Sequence, residues 1–353
     1  FSVSPDGGGG VVRRLPVSEA RPGEVLARPV VNTRGVVVVQ AGVALTEHLI
    51  ERLGRMGVWY VFLEAPGFEG IEPEEPLTPA VLAPLADFLR NLASALQEAG
   101  LDAVPRLPAA ELTRWSYDVA DEVALLKKAF LLYYPEGRTD QWVARTVNMA
   151  VLAAHTLRRL GGVTQARHLV LSALLRQLAL LRLPEGVREG VVRGEAAARR
   201  AHVEAAEALT GAMFGLSPVV KAIVLQHHER WDGSGQPHGR RGEAIHPLAR
   251  VLAVVDDYLI QTFDREEPLL PHEALEHLMA GASFEYDHAA VKAFANAAPL
   301  YPVGTEIELG TGERAVVVGP SGVGSRPVVR ILTDAAGRPV QPRQLNLAAA
   351  PTY

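Results

Sequence analysis

The side chains best suited to hold an ion or an anion gather in one stretch, Gln226-His227-His228-Glu229-Arg230-Trp231-Asp232-Gly233-Ser234-Gly235-Gln236-Pro237. Two adjacent imidazoles close an apolar, helix-like run from Lys221 to Gln226, and the glycine-rich turn that follows fits no regular element. Neighbouring positions on a helix point about 100° apart, so two metals, or a metal and a phosphate, suit His227 and His228 better than one shared ion. The competing reading of an isolated His-His pair is a solvated helix end that titrates near neutral pH. Two further groups of the right type lie elsewhere. His202 sits on an alanine-rich stretch, where a packed or surface histidine is the plain alternative. Asp256 ends an apolar run, where a carboxylate can pair with Arg250 or face water.

The elements that must position these groups are helical. From Thr139 to about Asn296 the apolar spacing is almost continuously that of helices, broken at Gly161-Gly162, Pro184, Gly215, the glycine-rich stretch and Pro268, with starts marked at Ser217-Pro218 and His246-Pro247. The expected fold class is mainly α, a helical bundle carrying small modules at both ends. Residues 1–10 read as a disordered tail and residues 11–66 as a small α/β module. In that module Val30-Val31 and Val36–Val39 flank a hairpin signal, Thr46 caps a helix, and a strand runs from Val58 to Leu63. Residues 67–77 read as a linker, and 78–138 as two connecting or dimerising helices, the first opened by Thr78-Pro79. Residues 139–298 form the bundle. Residues 299–353 change to a β pattern, with strands expected at Glu306–Leu309, Arg314–Val318 and Val328–Leu332.

Composition narrows the chemistry. The 353 residues include no cysteine, which excludes disulfides, thiolate metal ligands and a cysteine nucleophile, so any metal must be held by His, Asp or Glu. The net charge of −5 leaves no overall basic footprint for nucleic acid or an anionic membrane. No apolar run reaches the roughly 18 uncharged residues of a membrane helix, and residues 1–10 lack a signal-type apolar core, so a cytoplasmic location is expected.

Taken whole, His227 to Pro237 closely resembles the signature of the HD-GYP family, bacterial metal-dependent phosphodiesterases that hydrolyse cyclic di-GMP. The match is long and ungapped, with Gln236 standing where the family has the tyrosine of its name. The resemblance implies an HD-type helical bundle, with the N-terminal module and the β-rich tail as its usual companions. It also implies a metal constellation of an early His, the His-Asp pair, a lone His, the His-His pair and a final Asp. His202, His227, His228 and Asp256 keep four of these seven positions. Arg145 falls on the early His, Arg176 and Gln177 on the His-Asp pair, and Leu180 on the lysine that usually follows. His155 and His168 match no ligand of the family and read as structural.

Two-metal phosphodiester hydrolysis needs a carboxylate bridging cations about 3.5 to 4 Å apart. Gln177 removes that bridge, and Arg145 and Arg176 add two permanent positive charges. A divalent ion about 5 Å from one guanidinium is destabilised by roughly 6 kcal/mol at an effective dielectric near 20. The expectation is a catalytically inactive signalling protein with no required cofactor and at most a weakly held single divalent metal. It would act by binding a ligand or a protein. In the first case Arg145 and Arg176 converge as an anion site for cyclic di-GMP or another phosphate-bearing ligand, since two guanidiniums without a counter-anion repel each other. In the second the loop Asp232-Gly233-Ser234-Gly235-Gln236-Pro237 docks a diguanylate cyclase or another signalling protein. A homodimer fits either case. The alternative is residual metal-dependent hydrolysis of cyclic di-GMP on His202, His227, His228 and Asp256.

Overall fold

The computed structural model describes residues 13–31, 37–56, 58, 60–65, 67–68, 71, 75–98, 107–126, 132–133, 138–298, 300–321 and 326–350. The chain divides into two compact units, one of residues 84–125 and 138–298, the other of 1–83, 126–137 and 299–353. The tail read at residues 1–10 lies outside the described residues.

The second of these units carries two separate small sheets and a larger one. Strand β1 (Arg13–Pro16) pairs antiparallel with β4 (Tyr60–Leu63), and β2 (Val30–Val31) with β3 (Val37–Val39). Between β3 and β4 lies α1 (Glu47–Arg55), whose first turn is closed by Thr46, its side chain accepting from the Leu49 amide at 3.2 Å. Leu26, Leu45, Leu53, Val61 and Leu63 form the core of this part. Toward the C-terminus, β5 (Glu306–Glu308), β6 (Arg314–Gly319), β7 (Val328–Thr333) and β8 (Pro339–Asn346) make one antiparallel sheet in that order. Phe68 and Ile71, in the stretch expected to be a linker, are buried with Val303 and Val316, and Arg330 donates to the Gly67 carbonyl at 3.0 Å.

The other unit is all helical. α2 (Pro79–Glu98), which opens at the end of the previous segment, buries Leu85, Leu89 and Leu96. α3 (Ala109–Leu125) packs against α4 (Arg138–Arg159) and α5 (Ala166–Leu180) and is part of the bundle. Then follow α6 (Glu185–Arg193), α7 (Ala196–Gly211), α8 (Pro218–Gln226), α9 (Pro247–Leu259), α10 (Pro271–Ala280) and α11 (His288–Ala297). Ser217 and His246 cap α8 and α9, each ahead of the proline that opens its helix. The fold is thus mainly α, with a small α/β part near the N-terminus and a β-rich C-terminal part.

α5 sits at the centre, in contact with α3, α4, α7, α8 and α9. Every residue from Leu169 to Ala179 is buried, which is what an apolar surface on all sides of a helix requires. α9 is buried just as continuously, from Val251 to Leu259. Polar side chains on these two helices have no water to turn to and must find partners inside the protein. No described helix is long and apolar enough to cross a membrane.

Candidate functional site

Seven positions singled out in the sequence lie together in the bundle. α4 carries Arg145, α5 carries Arg176 and Gln177, α7 carries His202, the end of α8 supplies His227 and His228, and α9 carries Asp256. All are buried, with Arg145 the most exposed at 5%. A solvated helix end is therefore not what the His-His pair forms. The pair is enclosed because α8 packs between α5, α7 and α9.

Asp256 organises the polar centre. Arg145 donates to its Oδ1 at 3.0 Å and Arg176 to its Oδ2 at 2.8 Å, so each carboxylate oxygen is bound by a different guanidinium. Arg250, the partner weighed from sequence, bonds Asp287 at 2.9 Å instead. Arg145 also directs its Nε to both oxygens of Asp264, at 2.7 and 2.6 Å. Asp264 ends a single π-helical turn (Ile260–Asp264) that continues α9, an irregularity often found at functional sites. Sequence reasoning overlooked it, and the available signal was a second carboxylate about two turns beyond Asp256 on the same helical face.

Two arginines and two aspartates cancel in charge. The guanidiniums do converge, as an anion site requires, but their counter-anions are internal, so no ligand is needed to relieve repulsion between them. Burial, assisted by Arg145 and opposed by Asp256, brings the Arg176 guanidinium down to about 10, and it stays cationic at neutral pH. Burial raises the Asp256 carboxyl, but Arg176 and Arg145 outweigh it and hold the group well below the usual carboxylate range. Arg145 is likewise lowered by burial and raised, on balance, by Asp264 and Asp256.

The three histidines form a second cluster beside the first. His202 Nε2 lies 3.0 Å from the Arg176 carbonyl and His227 Nδ1 2.7 Å from the Val224 carbonyl; carbonyls only accept, so both nitrogens carry the proton. His202 Nδ1 is then bare and accepts from His228 Nε2 at 2.9 Å, which leaves His228 Nδ1 bare, 4.0 Å from Asp256 Oδ2. Burial is the main cause that keeps all three rings neutral, lowering His227 to about 3 and the other two well below their ordinary value. The neighbouring Arg176 adds to the effect on each.

A binuclear metal centre does not fit this arrangement. Gln177 brings no negative charge, and both oxygens of Asp256 are engaged by arginines. Because the four charged groups cancel, repulsion by the arginines is weaker than their charges alone imply, and the stronger obstacle is that no carboxylate is left to bridge two ions. The histidine nitrogens, within 4.8 Å of one another, are compatible with one ion. Yet two ligands of one tetrahedral ion with bonds of 2.0 to 2.1 Å stand about 3.3 Å apart. The 2.9 Å between His202 and His228 is that of a shared proton.

The glycine-rich loop is built rigidly on the end of α8. Glu229, 2% exposed, accepts from the amides of His238 at 3.0 Å and Arg240 at 2.9 Å, and Gln236 donates from its backbone to the His228 carbonyl at 3.0 Å. A Cβ on Gly235 would come within 2.3 Å of the Arg230 nitrogen, so glycine is required there. Gln236 is held by Arg200, which donates to its Oε1 at 3.0 Å. Asp257, next to Asp256, receives Arg230 and, at 3.6 Å, Arg199, which ties the loop to α7 and α9.

A cavity of about 360 Å³ reaches the polar centre between α4, α5, α6 and the π turn. Trp142, Arg145, Arg176, Gln177, Phe263 and Asp264 are among its lining residues. His155 and His168 lie apart from it; the first is buried near Arg159, and the second borders a smaller cavity of about 170 Å³ between α3, α5 and the start of α8.

Residues 136–290 match the family model described as "HD domain". The chain is 39% identical over 94 residues to a protein of Vibrio cholerae named a probable cyclic di-GMP phosphodiesterase, covering 26% of this chain and 21% of that protein. It is 30% identical over 177 residues to the cyclic di-GMP phosphodiesterase response regulator RpfG of Xanthomonas campestris pv. campestris, covering 48% and 46%. The chain thus spans from about a fifth to just under half of these relatives. A solved structure of Bd1817, an HDG"Y"P protein from Bdellovibrio bacteriovorus, aligns over 80% of this chain and 98% of its own with a TM-score of 0.47 and 15% identity. The resemblance to the HD-GYP family drawn from the signature holds.

Proposed function

We propose that this chain is a catalytically inactive HD-GYP-type regulatory module, which binds cyclic di-GMP or another phosphate-bearing ligand without hydrolysing it. The observation that carries the reading is the double engagement of Asp256. A carboxylate whose two oxygens are bound by Arg145 at 3.0 Å and Arg176 at 2.8 Å is not available to a metal, and without metals there is no hydroxide nucleophile. The arginines keep the architecture that ions keep in a metal-loaded site, by tying α4, α5 and α9 to one carboxylate. Ligand access is supported by the cavity that opens over Arg145, Arg176 and Gln177.

The test is incubation of the purified protein with cyclic di-GMP and added Mn²⁺ or Fe²⁺. The expected result is unchanged cyclic dinucleotide. A linear dinucleotide that appears with metal and disappears in His228→Ala would overturn the reading in favour of residual phosphodiesterase activity. The second reading, docking of a diguanylate cyclase or other signalling protein on the loop 232–237, is supported by the loop's rigid anchoring through Glu229.

A further inference from the structure

The smaller cavity, about 170 Å³ between α3, α5 and the turn that leads into α8, shares no lining residue with the cavity over the polar centre. Its floor is apolar, made by Leu171, Met213, Leu216 and Val220, and no carboxylate lines it. Two basic side chains do, Arg167 and His168. Burial, and then the neighbouring Arg167, lowers the His168 imidazole below its ordinary value and keeps it neutral, so Arg167 is the single charge in the lining. That charge is oriented. The guanidinium stacks on Tyr117, its Cζ 4.9 Å from the ring centre, so a face of the planar group is covered while the N–H donors along its edge are left open. Among the described residues neither Arg167 nor the Tyr117 hydroxyl has a hydrogen-bond or ion-pair partner. Thr113 and Ser116 are engaged by carbonyls of their own helix, at 2.7 and 2.6 Å, whereas Ser217 Oγ accepts from the Val219 amide at 3.3 Å and keeps its proton to donate. The lining also includes Phe214, which is fully exposed, an apolar ring that gains only when something covers it.

We propose that this cavity binds a small organic carboxylate whose apolar body is about the size of one six-membered ring. The body lies on the floor and under Phe214, and the carboxylate sits at the mouth on the edge of Arg167, with the Tyr117 and Ser217 hydroxyls as further donors. A volume of about 170 Å³ is close to the ~150 Å³ of an apolar cavity that takes up benzene. Arg167 and Tyr117 are exposed, so only the body must fit inside and the carboxylate keeps part of its hydration. The planar fork of a guanidinium matches the two oxygens of a carboxylate, and stacking on Tyr117 fixes it before the ligand arrives. An amine of the same shape meets an uncompensated cation. A bare phosphate finds the fork but leaves the apolar floor uncovered. The site does not rest on the proposed function.

The experiment is calorimetric titration of the full chain with phenylacetate, 2-phenylethanol, 2-phenylethylamine and inorganic phosphate. The expected result is saturable one-site binding of phenylacetate at millimolar concentration or below, with the alcohol weaker by about tenfold or more and no saturable binding of the amine or of phosphate. Arg167→Met, a change at an exposed position, should weaken phenylacetate by about tenfold or more and leave the alcohol unchanged, a split that a general disturbance of the fold would not give. Nuclear Overhauser contacts from the phenyl protons to the methyl groups of Leu171 and Val220 locate the guest independently of any variant. The proposal is overturned by an absence of saturable phenylacetate binding at millimolar concentration, or by alcohol, amine or phosphate binding as tightly as phenylacetate. Phenylacetate affinity unchanged in Arg167→Met, or contacts only to methyl groups elsewhere in the bundle, overturns it equally.

Discussion

Arg176 and Asp256 meet at 2.8 Å with both side chains 1% exposed, an ion pair formed where the HD-GYP pattern has ligands for metal. Its energetic signature is asymmetric. Removing one partner of a buried pair leaves an uncompensated charge and costs about 3 to 5 kcal/mol, while replacing both by apolar groups is often neutral. Asp256→Asn is expected to lower stability by about that amount in denaturant unfolding. Arg176→Met combined with Asp256→Leu should recover much of the loss, since Arg145 keeps its two bonds to Asp264. Additive losses in the double variant would contradict this.

Two guanidiniums without counter-ions would be relieved by removal. Here Arg145→Met with Arg176→Met instead strands Asp256 and Asp264 in the interior. The double variant should be less stable than wild type by about 3 kcal/mol or more. Differential scanning calorimetry at pH 7 measures this, and an unchanged or higher Tm would show that the two aspartates are not the counter-ions.

The neutral histidine cluster sets a pH dependence. Each ring stays unprotonated in the fold, with His227 held at about 3, while the unfolded chain takes up a proton on each near the ordinary value of 6.5. Protons then favour the unfolded state, so stability is complete above pH 6.5 and is lost as pH falls toward the folded values. The loss is about 1.4 kcal/mol per pH unit for each histidine. Asp256, depressed from 3.8, adds its own loss only below that value. Unfolding free energies measured from pH 7.5 to 4.5 should fall steeply below about pH 6, and His202→Asn should reduce the slope. A flat profile would mean that the histidines are not held neutral.

Gly235 has no room for a side chain, since an added Cβ would meet the backbone of Glu229 and Arg230. Gly235→Ala should cost more than about 2 kcal/mol and expose the loop to proteolysis. Limited digestion followed by mass spectrometry locates the cuts, and a protected loop would argue that it adapts at little cost.

The features legible in the sequence were those fixed by local residue types. Proline and capping residues marked the starts of α2, α8 and α9, and the signature identified the family. β1 and β8 were missed because Arg13-Arg14 and the prolines at 339 and 342 obscure strand alternation. Burial of His227 and His228 depends on which helices enclose α8, and this is not a local property. The Arg145–Asp264 bond joins residues 119 apart in sequence, so the counter-ions that neutralise the arginines appeared only once α4 and the π turn were seen together.

Whether guanidiniums occupy the structural role of the metals is read from metal stoichiometry. Wild-type protein and the triple variant Arg145→His, Arg176→His, Gln177→Asp are loaded with Mn²⁺ or Fe²⁺, desalted and analysed by inductively coupled plasma mass spectrometry. The expected result is far less than one ion per wild-type chain and a rise toward two in the triple variant, where the bridging carboxylate is restored and Asp256 is released. Two tightly held ions per wild-type chain would contradict it.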